Sequence, residues 1–408
     1  MAPSAIEELA ISSVVSVANL AAVTLVGVGA AIFPRGQPIL HKVFLADMSR
    51  MLVNIVWPVW AFSTVCSGIR RQDLLHTLPL MLWSGFGVAL SLLLGYVTAR
   101  LCRVDDELRP AYVVACGFCN AVAVPVMILG TLCEQPALSH IENCKNSVYG
   151  MLMLYCIVWN LAFFSMGVPM LEGIEVHQLP KKTSVSEGEE TENELSVEDI
   201  APSAEASRQE SRRVSLCRRV WHRAWRTLTM PPMVGTFLGV LSVFIPPLQD
   251  ALFKPSGALR FAGVAMETVS APGVACFTFV MAASLVPSEE LRRKSTLTKW
   301  PMSPKAVLAF CISRLVVIPA IFFAVWYVVE HYLLKKAFGE HSSTPPLVAL
   351  VTLIESAAPA ANMPVVFLAK MNKHDIATRL AFSYLFMYLA SPVTLAGFST
   401  LALDFVVG

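Results

Sequence analysis

The sequence predicts an all-α polytopic membrane protein, with ten transmembrane helices arranged as two inverted five-helix repeats and broken crossover helices 4 and 9. Three observations predict it. Of the 408 residues 55% are hydrophobic and only 15% charged, and the mean hydropathy is +0.61, a balance of membrane proteins rather than soluble domains. Apolar runs of about 20 residues, the helix length that crosses a hydrocarbon core, recur along the chain. Two of those runs carry prolines and asparagines where a plain membrane helix carries leucine.

The runs fall near 12–33, 45–68, 74–98, 110–132 and 147–169, then near 230–249, 261–286, 306–328, 345–369 and 379–405. Residues 1–170 form the first expected repeat, 171–229 a cytoplasmic loop and 230–408 the second repeat. "MAPSAIEELAISSVV" has two glutamates and no Lys or Arg before the first run. A secretory signal carries a positive n-region, so that run is read as a retained span.

Positively charged loops stay cytoplasmic. With the N-terminus outside, Arg100, Arg103, Arg109, the basic part of 171–229, the 292–305 stretch and Lys370–Lys373 are cytoplasmic. The opposite side then holds only the Arg70–Arg71 pair, Lys145, Lys254, Arg260 and the Lys335–Lys336 pair. Both termini are therefore expected to be lumenal or extracellular. Cys133 and Cys144 share the loop between spans four and five on that side, where disulfides persist, and are a candidate pair.

The long loop has two parts. "TSVSEGEETENELSVEDIAPSAEAS" (183–207) is acidic and lacks aromatics, so it is expected to be disordered. In "RQESRRVSLCRRVWHRAWRTL" (208–228), Val214, Cys217, Trp221, Trp225 and Leu228 recur at helical spacing among arginines. That pattern suits an interfacial helix on anionic lipid. "RRVS" at Ser215 and "RRKS" at Ser295 are Arg-Arg-x-Ser patterns that a basophilic kinase accepts.

The repeat is read from two pairs of spans. Aligning Pro125 with Pro364 sets "CGFCNAVAVPVMILG" over "ESAAPAANMPVVFLA" and Asn120 over Pro359, while Pro58 and Pro272 are both midspan. A proline removes a backbone donor and opens its helix. At membrane depth such opened backbone survives only where protein or a watered cavity satisfies it, and inverted-repeat transporters bind substrate there. The expected substrate site is therefore Asn120, Pro125, Glu355, Pro359, Asn362 and Pro364. Glu355, Pro359 and Asn362 share one helix face. Arg314, in span eight, reaches the depth of Glu355. An ionised carboxylate there is costly unless paired or hydrated, so two readings stay open for Glu355: a protonatable, coupling group of the site, or a structural ion pair with Arg314.

Several classes are excluded by what is missing. No HExxH, GxSxG or midspan Asp pair supports an enzyme, and no Cys/His cluster supports a metal or cofactor. A net charge of +2 without a separate basic domain gives no reason to expect nucleic acid.

"LTMPPMVGTFLGVLSVFIPPLQDALF" resembles the sixth-span signature of the auxin efflux carrier family, which includes the plant PIN and PIN-LIKES proteins. "SRMLVNIVWPVWAFSTV", "FCNAVAVPVMILGTLCEQ", "SRLVVIP" and "ESAAPAANMPVV" are similar to its second, fourth, eighth and ninth spans, with Cys119 where glycine is usual. Cys133, Cys144 and "SVYG" resemble the PIN-LIKES branch. The resemblance implies a scaffold domain, a transport domain and an elevator-like movement of an anion site at the crossover. It carries Asn120, Pro125, Pro359 and Pro364 over as site positions; Glu355 departs from the family pattern. The expected function is secondary transport of a small organic anion, such as an indole acid, across the endoplasmic reticulum or plasma membrane. A sodium- or proton-coupled metabolite or bile-acid-type symporter and a non-transporting receptor stay open. The expected partners are the anion, membrane lipid, a kinase and, as an open alternative, a second copy in a homodimer.

Overall fold

The structure, a computed structural model, describes residues 3–34, 39–40, 42–72, 74–136, 138, 141, 143–174, 221, 225–284, 302–330, 346–371 and 373–407. Ser215, Ser295, the acidic stretch 183–207 and most of the expected interfacial helix lie outside those residues. Trp221 and Trp225 are described; both are exposed and stack at 6.4 Å.

The described chain is helical throughout, with one isolated antiparallel bridge, between Cys119 and Ala360. Among the described residues seven helices are long and apolar enough to cross a membrane, or eight if a bent pair is one span. The most enclosed of them is Cys144–Glu172, and the least is the first, Ser13–Ile32. Burial thus puts the expected fifth span at the centre and the first at the periphery.

The prolines act in three ways. Asp47–Gly68, Cys144–Glu172 and Pro304–Val328 stay continuous, yet each contains a π-helical turn: Leu52–Val56, Phe163–Gly167 and Ser313–Val317. Each turn ends two residues before a proline (Pro58, Pro169 and Pro319). Widening the turn takes up the missing donor and the ring's clash with the preceding turn. Pro58 therefore bends no span open. At Pro272 a short turn instead separates Arg260–Ser270 from Gly273–Ser284.

The third way corrects the expected span 230–249. Pro231–Val243 ends there, and Pro246–Phe253 leaves it at 110°. The Pro246–Pro247 pair supplies no donors, so the helix stops at Phe244. Pro231–Val243 packs tightly on the second span, where a Cβ on Gly235 would stand 2.3 Å from the Pro58 carbonyl oxygen. Only glycine permits that approach.

The expected fourth and ninth spans are each two half-helices, Arg109–Gly117 with Ala123–Leu132 and Pro346–Ala357 with Met363–Lys370. The buried core divides at these breaks. Ala123–Leu132 packs with Pro346–Ala357 in one cluster, and Arg109–Gly117 with Met363–Lys370 in another. This is the arrangement of two opened helices that cross antiparallel.

Candidate functional site

The two breaks, residues 118–122 and 358–362, meet as a two-rung ladder. Asn120 N–H donates to the Pro359 carbonyl at 2.7 Å and Ala361 N–H to the Phe118 carbonyl at 2.8 Å. Each opened backbone thus satisfies part of the other, which meets the rule that buried amides and carbonyls find partners. Side chains supply the rest. Tyr388 O–H donates to the Ala360 carbonyl at 2.8 Å, Ala360 N–H donates to Met387 Sδ at 3.3 Å, and the Cys156 thiol lies 3.4 Å from the Ala121 carbonyl.

Asn120 ties the ladder to the elements on either side. Its Oδ1 accepts from Ala123 N–H at 3.1 Å, capping the half-helix Ala123–Leu132, and its Nδ2 donates to Tyr388 Oη at 3.0 Å. Asn362 stands just before the other half-helix, Met363–Lys370. Pro125 and Pro364 lie in the first turns of these half-helices, where a missing N–H costs nothing. They start helices. Only Pro359 lies in a break.

Arg314 is buried and clamps the end of Pro346–Ala357. Its Nε and Nη2 donate to the Ala358 carbonyl at 2.9 and 2.7 Å, Nη2 also approaches the Ser356 and Glu355 carbonyls at 3.4 and 3.5 Å, and Nη1 reaches Ser91 Oγ at 3.2 Å. A helix C-terminus carries unsatisfied carbonyls and negative partial charge, which attract a cation. Of the two open readings for Glu355, the ion pair is not the contact seen here: Arg314 meets the backbone carbonyl of residue 355. Glu355 is fully buried; its Oε2 accepts from the Cys119 thiol at 3.5 Å and its Oε1 has no hydrogen-bond partner among the described residues.

A cavity of about 220 Å³ opens against the crossover. Its polar lining comes from Asn120, Asn160 and Asn362, and its aromatic walls from Trp57, Trp159, Phe164 and Phe277. The starts of both half-helices, Ala123 and Met363, border it. Of the six expected site residues, Asn120 and Asn362 line this cavity, whereas Glu355, Pro125, Pro359 and Pro364 do not. Glu355 turns instead toward Cys119. Sequence reasoning missed Asn160, an amide within the apolar run "LYCIVWNLAFF", and Tyr388, which no spacing singles out. Cys133 and Cys144 are bonded, sulfur to sulfur, at 2.04 Å, and the adjacent Glu134 and Lys145 pair at 2.6 Å. Among the described residues no group of His, Cys, Asp and Glu is placed to hold a metal ion.

Long apolar helices surrounding two interrupted ones, whose broken ends border a cavity, define a multi-pass helical membrane protein of the transporter class. Residues 13–395 match the model of the membrane transport protein family, and the chain belongs to that family. No curated protein gives a significant match.

Proposed function

We propose that the protein is a secondary carrier of a small organic anion, such as an indole acid, working like the auxin efflux carriers and closest to their PIN-LIKES branch. The observation that carries this reading is the meeting of two half-helix starts with Asn120 and Asn362 at one aromatic-walled cavity. Helix N-termini carry positive partial charge, which attracts anions. Asn120 and Asn362 stand at the two starts, and Trp57, Trp159 and Phe277 suit a flat apolar body. At about 30 Å³ per water, a 220 Å³ cavity holds about seven waters. That is below the usual range for drug-sized ligands and favours a compact acid.

In this reading ten helices form two inverted five-helix repeats, and the crossover with its Arg314 and Tyr388 clamps moves as one body. Spans two and six, locked at Gly235 and Pro58, stay as the scaffold. The termini are lumenal, the 171–229 loop is cytoplasmic, and the membrane is that of the endoplasmic reticulum. Ser215 of that loop, and Ser295 between the expected spans seven and eight, receive phosphate from a basophilic kinase.

Uptake into proteoliposomes tests the reading, using radiolabelled indole acid and a panel of small carboxylates. The expected result is saturable uptake that Asn120→Ala and Asn362→Ala both weaken. Binding without uptake makes the protein a receptor, and uptake that requires sodium makes it a symporter; either result replaces this proposal.

A further inference from the structure

A second cavity, of about 430 Å³, lies between the second span, the half-helix Ala123–Leu132 and the start of the helix Cys144–Glu172, and reaches the Glu134–Lys145 pair beside the Cys133–Cys144 bridge. Six hydroxyl side chains line it: Ser63, Thr64, Ser67, Thr131, Tyr149 and Ser270. A hydroxyl has one proton to give and lone pairs to receive with. Ser63 and Thr64 both donate to the Trp60 carbonyl, at 3.0 and 2.8 Å. Thr131 donates to Met127 at 2.9 Å, Tyr149 to Val126 at 3.3 Å, and Ser270 to Met266. These five protons go to backbone, and what the five hydroxyls present to the cavity is acceptor capacity; Ser67 adds a sixth hydroxyl.

The other polar groups strengthen that bias. Glu134 and Glu267 border the cavity as two more acceptors, and Lys145 borders it as well with its ammonium held on Glu134 at 2.6 Å, while Glu267 pairs with Arg260 at 3.0 Å. Asn146 directs its Nδ2 to Asn143 Oδ1 at 3.0 Å. The rings of Trp60 and Tyr149 meet edge to face at 5.6 Å within the wall, and aromatic faces attract cations. The carboxylates are already paired, so it is the hydrogen-bond polarity of the wall that selects the ligand. The crossover cavity has the opposite polarity, since two half-helix N-termini with their positive partial charge border it.

We propose that this second cavity binds a monovalent cation of the ammonium type, through the hydroxyl oxygens of spans two, four and seven and the Trp60–Tyr149 wall. The inference stands apart from the anion reading, because no residue is shared between the two cavities.

The test uses the full chain purified in detergent. Tryptophan emission and thermal unfolding are followed while tetramethylammonium chloride or sodium chloride is titrated, for the natural protein and for Thr64→Val and Thr131→Val. These near-isosteric changes remove one acceptor each, from different helices, so a folding failure of one leaves the other informative. The expected result is a saturable response of the natural protein whose half-saturation rises at least tenfold in each folded variant. A response to tetramethylammonium alone supports an ammonium ligand, and one to sodium as well still supports a cation site. Absence of a saturable response to either salt, or unchanged half-saturation in the folded variants, overturns the proposal.

Discussion

Arg314 donates twice to the carbonyl of Ala358, from Nε at 2.9 Å and from Nη2 at 2.7 Å. The guanidinium is a planar fork, and here it closes on backbone at the end of an interrupted helix. A lysine ammonium is a compact point charge whose three donors share one nitrogen, and it cannot span Ala358, Ser356 and Ser91 as the fork does. Removing a buried donor leaves its acceptors desolvated, at about 1–3 kcal/mol for each group.

Arg314→Lys is accordingly expected to lose about 1–3 kcal/mol of stability, and Arg314→Ala more. Transport should fall with the geometry of the crossover. Thermal unfolding in detergent, alongside uptake at equal expression, checks both. A lysine variant that unfolds and transports like the natural protein would show that the fork is dispensable.

Glu355 carries a different expectation because Arg314 is engaged elsewhere. Its carboxyl meets one thiol and has one oxygen without a partner among the described residues, so glutamine fits the same space without an ion pair to lose. Glu355→Gln should fold normally and flatten the pH dependence of transport. An unchanged pH profile would remove Glu355 from the coupling. Failure to fold unless Arg314 is also neutralised would restore the structural pair.

The asparagines are expected to act through the crossover and the cavity together. Asn120→Ala removes a helix cap and a bond to Tyr388, and Asn362→Ala removes an amide from the cavity wall. Each should weaken substrate affinity by about 1–3 kcal/mol, the scale of hydrogen bonds to charge. Tyr388→Phe removes the hydroxyl between Asn120 and Ala360 and should cost about 1 kcal/mol. Equilibrium binding to purified protein gives all three. Full affinity in the Asn120 and Asn362 variants would place the anion elsewhere.

Much of this was legible in the residues, and the limits have physical causes. Runs of apolar residues mark the helices, and proline with asparagine in "CGFCNAVAVPVMILG" and "ESAAPAANMPVVFLA" marks where two of them break. Pro58 looks the same on paper, but a π turn absorbs it within one continuous helix. The Pro246–Pro247 pair was in plain view, yet the apolar run continues through it and conceals a 110° bend. The partner of Arg314 was invisible for a simpler reason. Carbonyl oxygens have no letter in a sequence, so the most obvious charged neighbour, Glu355, took their place. Trp159 and Asn160 join the cavity only because the central fifth span packs beside the crossover.

The last expectation concerns Cys133 and Cys144, which are 11 residues apart, with Glu134 and Lys145 paired beside them. Cys133 directly follows the half-helix Ala123–Leu132, and Cys144 begins the long central helix. A bridge there fixes the far end of the broken fourth span to the most enclosed of the long apolar helices among the described residues. Closing a loop of about this size is worth roughly 3 kcal/mol through the unfolded chain in the entropic account. Protein made in a eukaryotic host and digested without reductant should yield the two cysteines in one linked peptide pair. Cys133→Ser with Cys144→Ser should lower the unfolding temperature and leave the Asn120–Asn362 cavity able to bind. Two free thiols in the mapped peptides would count against the bridge, and an unchanged unfolding temperature would deny it a structural role.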